Sequence, residues 1–272
     1  MTRDRSDDTD SSASLAAGKP AFVWRRQIAD TDTPVSAALA LIEPERGDFL
    51  LESVEGGQTR GRHSLIGLAP DLIFRARGTK SEVNGAEVTG SPIDVLRALV
   101  AECRAEVPAE LPRALACLVG YFAYEAMGLI ERLPRPPENP LQLPDMLFVR
   151  PTLILVFDRL ADELFLIAPL WPGEGDAGAR VADAWERIDA TAARLARPER
   201  SRRALVESLG SVPLDYARDE RTSLAPALKP GRYRDMVARA QEYIQAGDIF
   251  QVVLAQRFTA PFPLPPFDLY RA

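Results

Sequence analysis

The sequence predicts an α+β fold, a mixed or antiparallel, sandwich-like sheet core flanked by helices. Three observations carry that expectation. Short runs rich in β-branched and aromatic residues, bounded by Gly, Pro, Asn and Asp, recur between residues 21 and 168. Two later stretches place apolar residues at three- and four-residue spacing, the period of a helix with one buried face. The composition, 46% hydrophobic and 26% charged over 272 residues, is that of a chain able to bury at least one good core.

Residues 1–19 are rich in Asp, Ser, Thr and Arg with little to bury, and read as a disordered tail. Strands are expected at Phe22 to Gln27, Phe49 to Ser53, Leu72 to Arg77 and Glu82 to Val88, the last folded around Asn84-Gly85. Pro34 to Leu41 reads as a short helix. Ser91-Pro92-Ile93-Asp94 offers an N-cap, a first-turn proline and an acidic first turn to a helix carrying Leu96, Leu99, Val100 and Cys103, with Pro108 as its stop. Leu115 to Tyr124 reads as a strand, and Leu147 to Phe157 with Glu163 to Ala168 as two strands joined through Asp158-Arg159-Leu160-Ala161-Asp162. The prolines between Leu133 and Pro140 remove ladder donors and make that segment a surface crossing. Val181, Trp185, Ile188, Ala192 and Leu195 define an amphipathic helix that should dock on a sheet, followed by a mobile, Arg-rich connection from Pro198 to Asp219. Tyr233, Val237, Ala240 and Ile244 define a last helix closed by Gly247, and Phe250 to Phe258 reads as a strand. The resulting division is a tail at 1–19, a sheet domain at 20–172, a helix and linker at 173–221, and at 222–272 the incomplete start of another domain.

A net charge of −6 and a pI near 5.1 argue against nucleic-acid and anionic-membrane partners. No stretch has the length of a membrane span, and residues 1–19 lack the apolar core of a secretory signal, so a cytoplasmic protein is expected. Cys103 and Cys117 read as two isolated, small buried hydrophobes.

The chemistry concentrates where Leu50-Leu51-Glu52-Ser53 ends a hydrophobic strand before Gly56-Gly57, with Arg62-His63-Ser64 just beyond. Glu52 can accept hydrogen bonds from an ammonium, Ser53 can donate or accept, and Arg62 offers a planar fork to a carboxylate, so the edge can hold an amino acid. The plainer alternative is a strand entering a Gly-rich turn with solvated charges. His63, the one histidine, has no Ser/Asp or Cys arrangement beside it in sequence, and one histidine makes no His-rich metal site. The glycines lack the strand-to-helix pattern of a phosphate cradle.

Four segments carry a family resemblance: Leu50-Leu51-Glu52-Ser53 with Gly61-Arg62-His63-Ser64-Leu65-Ile66-Gly67, then Gly120-Tyr121-Phe122-Ala123-Tyr124-Glu125, Leu143-Pro144-Asp145-Met146, and Ala246-Gly247-Asp248-Ile249-Phe250-Gln251-Val252-Val253-Leu254-Ala255-Gln256-Arg257. In this order they resemble the large, chorismate-using subunit of anthranilate synthase, component I, across about residues 20 to 272. The resemblance implies an N-terminal regulatory domain at 20–172 and, at 222–272, the first helix and strand of the chorismate-binding domain, where Gln251, the one catalytic candidate, would approach the reaction chamber with Gln256 and Arg257; the alternative is that these polar residues satisfy ladder ends and neighbouring loops. For the complete enzyme it implies magnesium-dependent conversion of chorismate and ammonia to anthranilate and pyruvate, with a glutamine amidotransferase partner (component II) and feedback inhibition by tryptophan. Its magnesium-binding and principal catalytic residues have no counterpart here, so this chain alone is expected to be inactive. Leu51, Glu52, Ser53, Arg62, His63 and Ser64 are the expected tryptophan-binding residues, although the family often has tyrosine where His63 stands. Ile249-Phe250-Gln251-Val252-Val253-Leu254 resembles the anthranilate wording better than the Cys-Tyr-Gln-Val-Asn-Leu of aminodeoxychorismate synthase in the folate pathway. That enzyme remains an alternative, as does a non-catalytic tryptophan-binding or partner-binding module.

Overall fold

A computed structural model describes residues 4–43, 45–53, 61–131, 139, 141–196, 224–262 and 265–271. The chain divides after Arg202 into two compact units. The first is built on an antiparallel sheet of eight strands: β1 (Ala21–Ile28), β2 (Phe49–Leu51), β3 (His63–Arg77), β4 (Lys80–Val83), β5 (Ala86–Val88), β6 (Val119–Phe122), β7 (Met146–Asp158) and β8 (Glu163–Leu170). The main path runs β1-β8-β7-β3-β4-β5, with β2 added to β3 and β6 to β7. Every pairing in it is antiparallel, which settles the choice between a mixed and an antiparallel sheet.

The two long central strands organise everything else. β3 pairs with β7 from His63↔Asp158 to Ala76↔Met146, with a register shift between Pro70 and Leu72. Proline supplies no ladder N–H, and Pro70 lies opposite Pro151, so regular pairing fails there and the strand bulges. Ala69 at this point takes a left-handed φ of 47°. It is held at both ends: its N–H donates to Asp48 Oδ1 (2.8 Å) and its carbonyl accepts from Thr152 Oγ1 (2.7 Å). Sequence reading, which placed a strand only at Leu72 to Arg77, sees half of β3.

The core divides at the same place. On one side of the bulge Phe22, Trp24, Leu65, Ile154, Val156, Phe165 and Ile167 pack beneath Leu111 and the 114–117 segment. On the other, Leu72, Phe74, Ala76 and Met146 pack with Leu96, Leu99 and Ala126. Leu96 and Leu99 come from α3 (Pro92–Glu102), which ends well before Pro108. The β4–β5 hairpin turns at Asn84 (φ 51°) and Gly85 (φ 81°), the left-handed pair that Asn-Gly favours. α2 (Pro34–Leu41) has Thr33 and Ser36 in a reciprocal cap. α4 (Ala177–Leu195), capped by Asp176 accepting from the Ala179 N–H (2.8 Å), buries Val181, Ala184 and Ile188 and packs on β1 and β8. It therefore belongs to the sheet unit and not to a separate segment beginning at 173.

Three expectations are corrected. The supposed tail contains α1 (Asp8–Ala16), with Asp7 as N-cap and Ser11 and Leu15 buried. Its partners are remote in sequence: the Ser6 N–H donates to the Trp24 carbonyl (2.9 Å), and Trp185 Nε1 donates to Asp8 Oδ1 (2.6 Å). The run Leu115 to Tyr124 is a strand only at Val119–Phe122, after which Tyr124–Leu129 forms a 3₁₀ turn. In the second unit, β10 is limited to Phe258–Thr259, paired with β9 (Ala225–Pro226), and Phe250 to Arg257 is not strand. The apolar run there finds no sheet partner among the described residues, and without one its composition does not fix an extended ladder. That unit also holds α5 (Arg232–Ala246), ended by Gly247 at φ 79°, and α6 (Pro266–Arg271). α5 buries none of its residues.

The 133–138 crossing, Gly56-Gly57 and the connection from Pro198 to Asp219 with its arginines lie outside the described residues. No helix among the described residues is long and apolar enough to cross a membrane.

Candidate functional site

Strand β2 carries the first motif into place. It pairs with β3 as Phe49↔Gly67, Leu50↔Ile66 and Leu51↔Leu65, so continuing the register sets Glu52 and Ser53 beside Ser64 and His63. The Ser53 N–H donates to the buried Ser64 Oγ at 3.2 Å. Asp48 anchors the strand's other end, receiving the Ala69 N–H (2.8 Å) and both Arg46 Nε (2.9 Å) and Nη2 (2.6 Å). Phe49 lies across Gly67: a Cβ built on that glycine would stand 2.1 Å from the ring edge. The residues nominated from sequence are thus brought together, with Leu51 half exposed and Ser64 fully buried.

Their charged groups are already engaged. Arg62 donates to Asp158 through Nε (2.8 Å) and also through Nη2, a bidentate fork, and His63 Nε2 stands 3.5 Å from the same carboxylate. Asp158 Oδ1 further accepts the Leu160 and Ala161 N–H groups (3.1 and 3.3 Å). Burial alone would raise the Asp158 pKa, but the Arg62 hydrogen bonds, the Leu160 N–H and the charges of Arg62 and His63 together hold it below the ordinary carboxylate value. Arg62 therefore serves Asp158 instead of presenting an open fork to a ligand carboxylate. Glu52 Oε1 accepts from Arg159 Nη2 at 3.1 Å. Asp158 and Arg159 are the members that sequence reasoning missed. They read only as turn residues, and nothing local ties them to a motif some 100 positions earlier.

A cavity of about 230 Å³ opens beside Asp158 and Arg159, walled by Asp30, Asp32, Asp162 and Glu163. Burial, then the charge of Asp30, raises the Asp32 pKa. This wall suits a cationic group such as an ammonium.

The pairing makes a directional test. A carboxylate depressed in the folded state contributes stability that is fully present above its unfolded value and is lost as pH falls through the folded one. The melting temperature should thus fall from about pH 4 downward, and Asp158→Asn should flatten part of that acid limb. An acid limb identical in Asp158→Asn and the parent would refute the role of Asp158.

The second and third motifs meet each other. The Ala123 N–H donates to the Asp145 carbonyl (2.7 Å), and Asp145 Oδ2 accepts the Gly78 N–H (2.6 Å), tying the β3–β4 turn to the start of β7. Phe122 packs edge-on against Phe148, 5.1 Å between centroids, while Tyr124 is 85% exposed. Gln251, the catalytic candidate, is exposed and lies outside helix and strand in the second unit. Cys103 and Cys117 are free thiols but not isolated, since they line one cavity of about 640 Å³. Burial raises both pKa values, that of Cys117 to about 12, which makes them poor nucleophiles. Among the described residues no three His, Cys, Asp or Glu side chains cluster as metal ligands, so those residues do not form a magnesium site.

With this geometry in view, comparison with known proteins is decisive. The chorismate binding enzyme family matches residues 47–272. The chain belongs to that family. Anthranilate synthase component 1 from Cereibacter sphaeroides is 39% identical over 268 residues, covering 94% of this chain and 51% of that protein. The component 1 from Thermus thermophilus is 38% identical over 247 residues, covering 90% and 49%. This chorismate-binding family chain thus spans about half the length of the curated relatives it matches. The crystal structure of anthranilate synthase component I from Streptococcus pneumoniae shares the fold, with a TM-score of 0.54 at 24% identity over 90% of this chain and 51% of that one.

Proposed function

We propose that this chain is part of an anthranilate synthase component I, and that its β2 edge holds the feedback inhibitor tryptophan. In the complete enzyme chorismate and ammonia, the latter from a glutamine amidotransferase partner, give anthranilate and pyruvate in the cytoplasm. The observation that carries this reading is the 39% identity running along 94% of the chain to a component 1. The clustering of Leu51, Glu52 and Ser53 against Ser64 supports the regulatory part, because it places a half-exposed apolar side chain next to ordered polar groups.

In that reading the indole packs on Leu51, and the amino-acid end meets the polar side of the edge. Glu52 and the acidic wall suit the ammonium. Arg159, which pairs with Glu52 through one nitrogen, supplies positive charge for the carboxylate, whereas Arg62 is committed to Asp158 by a bidentate fork. Magnesium belongs to the complete enzyme, and no step is assigned to it through the residues described above.

Anthranilate fluoresces, which makes the assay direct. The intact enzyme, given chorismate, magnesium and ammonium, should release anthranilate and pyruvate in equal amounts, with the rate falling on addition of tryptophan. The 272 residues alone should give no signal above a blank. Amination without pyruvate release would instead identify an aminodeoxychorismate synthase. Tryptophan binding with no turnover in the intact protein would identify a sensing module. Turnover by the 272 residues alone, lost on Gln251→Ala, would overturn the expectation that the catalytic groups lie elsewhere.

A further inference from the structure

A second charged cavity, of about 270 Å³, opens between β7, the end of β8 and α4, and three guanidiniums line it: Arg150, Arg180 and Arg187. It is distinct from the cavity beside Asp158. Arg150 lies eight residues along β7 from Asp158, roughly 26 Å at the strand rise of about 3.3 Å per residue.

Two of the three arginines have evident structural work. Arg150 forks onto Asp71 through Nε (2.8 Å) and Nη2 (3.0 Å) and lies 5.4 Å from the centre of the Trp171 ring. Arg180 donates through Nη2 to the Trp171 carbonyl at 2.5 Å. Arg187 differs, because its Nε is buried with no hydrogen-bond partner. Burial lowers its pKa, and although the charges of Asp183 and Asp71 oppose that effect, Arg180 adds to it. The cavity thus holds one cation more than it holds carboxylates. A buried, unsatisfied charged donor is costly, and native proteins leave few of them.

We propose that this cavity is a binding site for a small oxyanion, a carboxylate or phosphate group seated in the fork of Arg187, with Arg150 and Arg180 as flanking charge. A guanidinium presents two parallel N–H donors that match such a group, and one bound anion would offset the excess cation and satisfy the orphan Nε together. The volume falls below the usual 300–1,000 Å³ of pockets for drug-sized ligands. The occupant is accordingly a free ion or the acidic end of a small metabolite.

The test titrates the full 272-residue chain with sodium phosphate and, separately, sodium acetate, at ionic strength held constant with sodium chloride, by calorimetry and thermal melting. At least one oxyanion should bind saturably and raise the melting temperature, and the arm that responds identifies the group. Arg187→Met keeps the apolar stem and removes the fork. It should weaken binding at least tenfold, and it should melt higher than the parent in buffer free of phosphate and acetate because the orphan donor is gone. Should that variant fail to fold, Arg187→Lys retains charge without the fork and should also bind several-fold more weakly. Absence of saturable binding in both arms would overturn the site, as would affinities unchanged in a folded Arg187 variant.

Discussion

Replacing Gly120 with alanine should lower the melting temperature of the sheet unit by roughly 6–12 °C. A Cβ at Gly120 would stand 2.0 Å from the Leu147 carbonyl oxygen and 2.7 Å from Phe148 Cα. Both are backbone atoms of β7, so no side-chain rotation relieves the clash, and β6 must part from the strand with which it pairs from Val119↔Val149 to Phe122↔Met146. Overpacking of this kind costs about 3 kcal/mol or more at its upper end. For a unit of some 200 residues, each kcal/mol shifts the midpoint by roughly 2–4 °C. Detaching β6 also removes the Ala123 contact to Asp145 and exposes Met146, which is otherwise buried. Gly128 is the control, since its Cβ would meet nothing within 4 Å, so Gly128→Ala should be neutral or slightly stabilising. Equal melting of the two variants would show that β6 is dispensable.

That contrast between two glycines also marks what the sequence reveals and what it does not. Local chemistry announces itself: Pro34–Leu41 folds as the helix its composition suggests, Asn84-Gly85 makes the left-handed turn, and the spacing of Val181, Trp185 and Ile188 becomes α4. Elements that depend on distant partners stay hidden. α1 offers few apolar side chains, and it is held by Trp185, far along the chain, while Ser6 just before it bonds the Trp24 carbonyl on β1. The opposite failure occurs at Phe250 to Phe258, where a β-branched, apolar run suggests a strand but no long ladder forms among the described residues. The candidate site divides in the same way. Its motif on β2 and β3 is visible because both strands lie close in sequence, and their register sets Ser53 against Ser64. Asp158 and Arg159 arrive by the β3–β7 pairing, a long-range contact that motif spacing does not encode.

On the proposed reading that the β2 edge holds tryptophan, Gly67→Ala should weaken that binding at least tenfold, more than Ser53→Ala, while leaving the sheet folded. β2 is only three residues long and, among the described residues, pairs with β3 alone, so its position depends on a few contacts. One is the Phe49 ring lying over Gly67, where a new Cβ would stand 2.1, 2.4 and 2.9 Å from ring carbons. An aromatic side chain covering a cross-strand glycine is a known way to pin a sheet edge. Added bulk must turn the ring aside, and turning it lifts β2 together with Leu51, Glu52 and Ser53. Losing a preorganised edge costs binding energy without removing any ligand contact, and tenfold corresponds to about 1.4 kcal/mol. Ser53→Ala leaves the Ser53 N–H bond to Ser64 intact and removes only a hydroxyl, on the order of 1 kcal/mol. The measurement is tryptophan affinity by calorimetry on this chain and the tryptophan concentration that halves the rate of the intact enzyme. A second substitution gives the sharper result: Phe49→Leu should recover part of the affinity lost in Gly67→Ala, because a smaller side chain accommodates the new Cβ, and the pair should couple in a double-mutant cycle. If Gly67→Ala leaves inhibition unchanged and chorismate turnover collapses instead, the β2 edge serves the catalytic scaffold and not the inhibitor.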